Sequence, residues 1–141
     1  MRFAWLLLLA FTTAPAAAQS TTVDGITVHY AAVPGTQIDA TVARELGIVR
    51  SPRRIVLNVA VRAGEPGRER SVPADVTVLV RDANGLATAP RMRLHDAGGA
   101  AYWLGEARIE DDATLRFEVE VRVAGRTAPI RAVFAREFFV R

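Results

Sequence analysis

The sequence is 141 residues long, half hydrophobic, with a formal net charge of +3 and no cysteine. That composition excludes a disulfide-stapled fold and leaves too little positive excess to bind nucleic acid by bulk electrostatics. All 18 basic residues are arginine, so Schiff-base and lysine-nucleophile chemistry are excluded as well.

The chain opens M-R-F-A-W-L-L-L-L-A-F-T-T-A-P-A-A-A-Q-S. Arg2 precedes an apolar stretch from Phe3 to Phe11, and Ala16 and Ala18 put small residues at the −3 and −1 positions before Gln19. This is the pattern of a secretory signal peptide cleaved after Ala18. The stretch is far short of the ~20 residues a spanning helix needs, so no stable membrane span is expected once the leader is removed. Lack of cysteine excludes a lipid-modified N-terminus and, in an exported protein, suggests a bacterial periplasm. Residues 19–141 then have the length of one domain, able to bury roughly two thirds of its unfolded surface without crosslinks.

Period-two alternation, the strand signature, recurs along this region. Gly25 to Ala32 opens it, with Ile26, Val28 and Tyr30 on one side. A short helix follows near residues 39–46, with Asp39 as N-cap, Gly47 just past its end, and Val42 and Leu46 four apart on one face. About two turns long, it needs tertiary packing to persist. Ile48 and Val49 are expected to re-enter the core, and Pro52 forbids continuation of the helix. Ile55, Leu57, Val59 and Val61 form a second inward set, and Val76, Val78 and Val80 a third. Met92 and Leu94 alternate with Arg91, Arg93 and His95, and Ala101 to Ile109 adds another strand.

In A-T-L-R-F-E-V-E-V-R-V, residues 115, 117, 119, 121 and 123 are apolar and the residues between them charged. One buried face of an antiparallel strand accounts for this, and the alternating signs suit cross-strand pairing. Ile130 to Val140 is apolar on both faces and is expected to be central or covered. Turns fall at Ala63–Gly67, Asp82–Gly85, Ala97–Gly99, Glu110–Asp112 and Ala124–Arg126. The expected fold is mainly β: a two-layer antiparallel β-sandwich, immunoglobulin-like, of about seven strands, with one short helix.

Three stretches carry a family resemblance: V-H-Y (28–30), V-A-R-E-L-G-I-V-R-S (42–51) and I-V-L-N-V-A-V (55–61). Y-W-L-G-E (102–106), L-R-F-E-V (115–119) and the aromatic-rich C-terminal strand extend it. Together they resemble the bacterial exported family DUF4426, a domain of unknown function. The resemblance spans residues 19–141 and implies a small periplasmic β-sandwich protein with no assigned activity. Ser71 to Asp96 departs from the pattern, and no functional residue is carried over from it.

Catalytic constellations are absent from the sequence. Ser20, Ser51 and Ser71 lie in no G-x-S-x-G elbow, and neither His29 nor His95 has a serine partner in sequence. Met92 and His95, three apart on a strand, point to opposite faces and do not chelate together. Glu110-Asp111-Asp112 lacks the calcium-loop spacing. No cofactor and no metal is expected. The basic segment Arg50-Ser51-Pro52-Arg53-Arg54 offers forked donors to an anion. As a helix-to-strand connector it is better explained by arginines tied internally, through Glu45, Asp39 or backbone carbonyls, with Arg50 as the anchor because it directly follows Ile48 and Val49. Candidate binding residues are therefore His29, Tyr30, Arg50, Ser51, Arg53, Arg54, Asn58, Tyr102, Trp103 and Glu106.

These features favour a non-enzymatic binding or accessory module for a periplasmic protein or envelope component. A second reading is a small-ligand carrier with a pocket between the sheets, lined by Tyr30, Trp103 and Phe134. A third is an enzyme that uses Arg50, His29 and Glu106, which requires those side chains to converge.

Overall fold

The computed structural model describes residues 19–141; the expected leader, residues 1–18, lies outside them. The strands are β1 (Gln19–Val23), β2 (Ile26–Pro34), β3 (Arg54–Ala63), β4 (Arg70–Ser71), β5 (Ala74–Arg81), β6 (Ala87–Thr88), β7 (Arg93–Ala97), β8 (Ala100–Arg108), β9 (Ala113–Val123) and β10 (Ile130–Phe138). A 3-10 turn (Gly35–Gln37) and helix α1 (Ala40–Leu46) lie between β2 and β3. They form two antiparallel sheets. Sheet A runs β1-β2-β3-β8-β7 with β4 paired to β3, and sheet B runs β10-β9-β5-β6.

The apolar sets read from period two line the space between the sheets. Sheet A supplies Val28, Tyr30, Ile55, Leu57, Val59 and Val61; sheet B supplies Val76, Val78, Val80, Leu115, Phe117, Val119, Val121 and Val123. The aromatic rings join the layers. Tyr30 stacks on Phe134 at 5.0 Å between centroids, Phe134 stacks on Phe117 at 4.7 Å, and Phe138 meets Phe117 edge-on at 6.2 Å. Offset stacks and edge contacts are the arrangements the ring quadrupole favours.

Outside the core, sheet B carries a charge ladder. Glu118 lies 3.2 Å from Arg81 and 3.8 Å from Arg116, while Glu120 lies 2.8 Å from Arg122 and 3.5 Å from Arg131. Each carboxylate bridges two arginines that would otherwise repel on one face.

In its strands the structure departs from the sequence reading in three places. Strand β10 is an edge strand, not a central one. Its apolar residues do divide between two faces, with Val133 52% exposed, and Phe139 beyond the strand is 51% exposed. An inward charge guards this edge: Arg136 donates to the Ala32 carbonyl and lies 5.3 Å over the Phe138 ring, a device that discourages strand addition. Second, Glu110–Asp112 does not close a hairpin, because β8 belongs to sheet A and β9 to sheet B. Third, β1, β4 and β6 extend the expected set of seven. β1 turns into β2 through Asp24 and Gly25, both at positive φ.

Candidate functional site

Helix α1 is fixed at both ends as its sequence requires. The Asp39 carboxylate accepts hydrogen bonds from the Thr41 and Val42 amides at 2.9 and 3.3 Å. Gly47 closes the helix at φ 69°, in the left-handed region. The buried anchor is Ala43, at 2% exposure, whereas Val42 is 43% exposed. Val42 lines the edge of a groove.

The basic connector is largely committed to architecture. Arg50 donates from Nε to the Ile38 carbonyl at 2.9 Å and from Nη2 to the Thr36 carbonyl at 3.1 Å. Its partners are backbone carbonyls, not Glu45 or Asp39. The Ser51 hydroxyl accepts from the Arg53 amide at 3.1 Å, and Arg53 Nε donates to the Glu110 carbonyl at 3.1 Å. Arg54 Nη1 lies 3.5 Å from Glu106 Oε2. Gly35 explains how tightly the connector fits: a Cβ there would lie 2.7 Å from the Val49 carbonyl oxygen. Val49 does not reach the core as expected; it is 53% exposed, because the segment passes over the 3-10 turn instead of diving between the sheets.

The outer face of sheet A follows from register. Asn58 pairs with Ala31 and with Leu104, Leu104 pairs with Arg93, and His95 pairs with Tyr102. Val33 pairs with Val56, which pairs with Glu106. Against these rows α1 forms a wall, and two adjoining concavities result. One, of about 290 Å³, is apolar: Ala31, Val33, Ile38 and Val42 line it, with Asn58 and Tyr102 as its polar side chains. The other, of about 340 Å³, is lined by Arg91, Arg93, His95 and Glu106. Leu46, Ile48, Val56 and Leu104 are common to both, so they form one continuous groove.

The groove therefore gathers Asn58, Tyr102 and Glu106 among the sequence candidates, with Arg54 held against Glu106. His29 lies on the same outer face, where its Nε2 is 3.9 Å from Glu69. From register, His29 and Glu106 are two strand spacings and four residues apart, about 16 Å. The structure does not bring His29 and Glu106 together, and Arg50 is bonded to the turn. Tyr30 and Trp103 face the interior. Tyr30 stacks directly on Phe134 and shares a hydrogen bond with the Thr21 hydroxyl at 3.1 Å, so the two rings fill the space a pocket between them would need. Trp103 instead lines a separate cleft of about 220 Å³ with Val61, Val72 and Leu94 at the sandwich edge.

Residues missed as site candidates are Val42, Leu46, Ile48, Val56, Leu104, Arg91 and Arg93. Their signal is present: Val56 and Leu104 are apolar on the outward phase of their strands, where a solvent-facing sheet would be polar. Among the described residues, no group of three His, Asp or Glu side chains is arranged to hold a metal.

The profile of DUF4426, described as a domain of unknown function, matches residues 20–141. No curated protein sequence matches the chain. The crystal structure of a DUF4426 family protein from Pseudomonas aeruginosa PAO1 is similar with a TM-score of 0.73 and 27% identity, covering 87% of this chain and 95% of that one. A copper-bound variant of FetP from uropathogenic Escherichia coli strain F11 is similar at TM-score 0.59 and 8% identity, covering 86% and 94%. FetP as isolated, recombinantly expressed in the periplasm of E. coli, is similar at TM-score 0.59 and 10% identity, covering 87% and 94%. The likeness to FetP is one of fold.

Proposed function

The chain belongs to the DUF4426 family, and from that premise we propose that it is a non-enzymatic, exported recognition module that binds a component of the cell envelope through the groove between α1 and sheet A. The observation that carries this reading is the groove itself, an apolar floor and wall continued into a cationic end on one face of a rigid sheet. Clefts of several hundred Å³ with few convergent polar groups are the usual form of binding sites. The polar groups present are suited to recognition rather than to reaction. Arginines carry permanent charge, and the Glu106 carboxylate is already engaged by Arg54. A periplasmic location rests on the leader pattern of residues 1–18 and is compatible with the likeness to FetP.

Copper binding, known for FetP from its copper-bound variant, is not carried over. His29 and His95 flank Ala60 and Tyr102 on one row of sheet A, three strand spacings or about 14 Å apart. Met92 faces the opposite side of the sheet and packs against the core.

The test is site-specific photocrosslinking in living cells. A benzophenone side chain is placed at Leu104 in the groove or, as control, at Val133 on the outer face of sheet B. Adducts are expected from position 104 and not from position 133. Equal labelling at both positions, or none at either, would overturn the reading.

A further inference from the structure

The polarity of the groove is uneven along its length, and that unevenness specifies an occupant. We propose that it takes a single-chain anionic amphiphile: one acyl tail along α1 and a phosphate headgroup bearing no cation at the arginine end, the chemistry of a lysophosphatidylglycerol. The proposal rests on the groove reading above and names its ligand.

Three observations support it. The apolar part is closed on two sides, by Ala31, Val33 and Val56 below and by Ile38, Val42 and Leu46 on the helix side. A peptide laid there would need backbone partners along its path, whereas the only polar side chains available are Asn58 and Tyr102. An acyl chain needs none. Second, the apolar part crosses β2, β3 and β8, a path of about 10 Å, a third of the ~30 Å hydrocarbon thickness of a bilayer. It holds the headgroup-proximal part of one acyl chain. Third, the cationic end has charge to offer. Arg54 is paired with Glu106, while neither Arg91 nor Arg93 has a carboxylate within ion-pair distance among the described residues. Two forked guanidiniums suit a phosphate. The headgroup carries no cation of its own, because a quaternary ammonium beside Arg91 and Arg93 would be repelled.

The experiment titrates the purified protein with lauroyl-lysophosphatidylglycerol below its micelle concentration, followed by amide chemical shifts. Lauroyl-lysophosphatidylcholine and glycerol 3-phosphate are the comparison probes. Shifts are expected at residues 42–48 and 102–106, with an affinity at least tenfold tighter than for the choline lipid and no saturable binding of glycerol 3-phosphate. The double variant R91A/R93A should bind the two lipids alike while keeping the wild-type melting temperature, since both side chains are exposed. Equal affinities for the two lipids in the wild-type protein, shifts confined to other surfaces, or no binding at all would overturn the proposal. Crosslinks from position 104 would in those cases leave the groove standing with a different occupant; without them both readings fall together.

Discussion

Arg50 shows how one side chain decides between two readings of a basic segment. Its position after the helix and before Pro52 favours an anchor but still admits an anion site. What decides is that two of its donors lie in one plane and meet two carbonyls of the preceding turn, Ile38 at 2.9 Å and Thr36 at 3.1 Å. Such a fork fixes direction as well as distance. Replacing it leaves those carbonyls to solvent, so the loss is that of exposed, charge-assisted hydrogen bonds rather than of buried ones. Arg50→Ala is expected to lower stability by about 1–2 kcal/mol, read as a lower urea midpoint. Arg50→Lys should recover less than half of that, because one ammonium cannot reproduce the planar fork. An unchanged midpoint in Arg50→Ala would show that the connector holds without this anchor. The sequence contains the donors and their place in the chain. It does not contain the carbonyl positions, which depend on how the turn at Gly35 nests against Val49 and Ser51.

At the scale of elements, α1 is the wall of the groove and the least self-sufficient part of it. Seven residues form too few internal hydrogen bonds to persist alone. Its order depends on the Asp39 cap, the Gly47 turn and the seat of Ala43. Asp39→Ala is expected to cost about 1 kcal/mol, expressed locally. Amide exchange at residues 43–48 should accelerate while that of β9 stays slow, and lipid affinity should fall because the wall frays. Uniform acceleration across the molecule would contradict this local role.

The cap and the C-terminal glycine were legible because they act within a few residues of sequence. So were the inner faces of β2, β3, β5 and β9, where strict alternation reports one buried side. Two-residue strands such as β4 and β6 hold no period and leave no signal. Strand β10 misleads for the opposite reason. Apolar residues on both of its faces resemble a central strand, yet Val133 remains on an open surface. Val56 and Leu104 break the alternation too, and here the break reports a second covered surface under α1.

For the molecule as a whole, what makes two sheets one unit is the ring cluster that crosses between them. Phe117 is fully buried and touches both Phe134 and Phe138, while Phe134 carries the contact on to Tyr30 in sheet A. Removing the Phe117 ring deletes the centre of that chain, and the surrounding β-branched side chains are too stiff to close the void fully. Phe117→Ala is therefore expected to cost about 3–5 kcal/mol. That is a large share of the ~5–15 kcal/mol by which domains of this size are stable. Because the loss falls on contacts shared by both layers, it should lower a single transition rather than split it. Far-ultraviolet circular dichroism, which follows the strands, and near-ultraviolet circular dichroism, which follows the packed aromatic rings, should then melt together at a lower temperature. Two separated transitions would mean that the ring packing between the layers is lost before the strands. Whether the groove on the outside of sheet A relies on that packing is read from its affinity in Phe117→Ala well below the first transition: unchanged for a groove built on sheet A alone, weakened for one that relies on the whole sandwich.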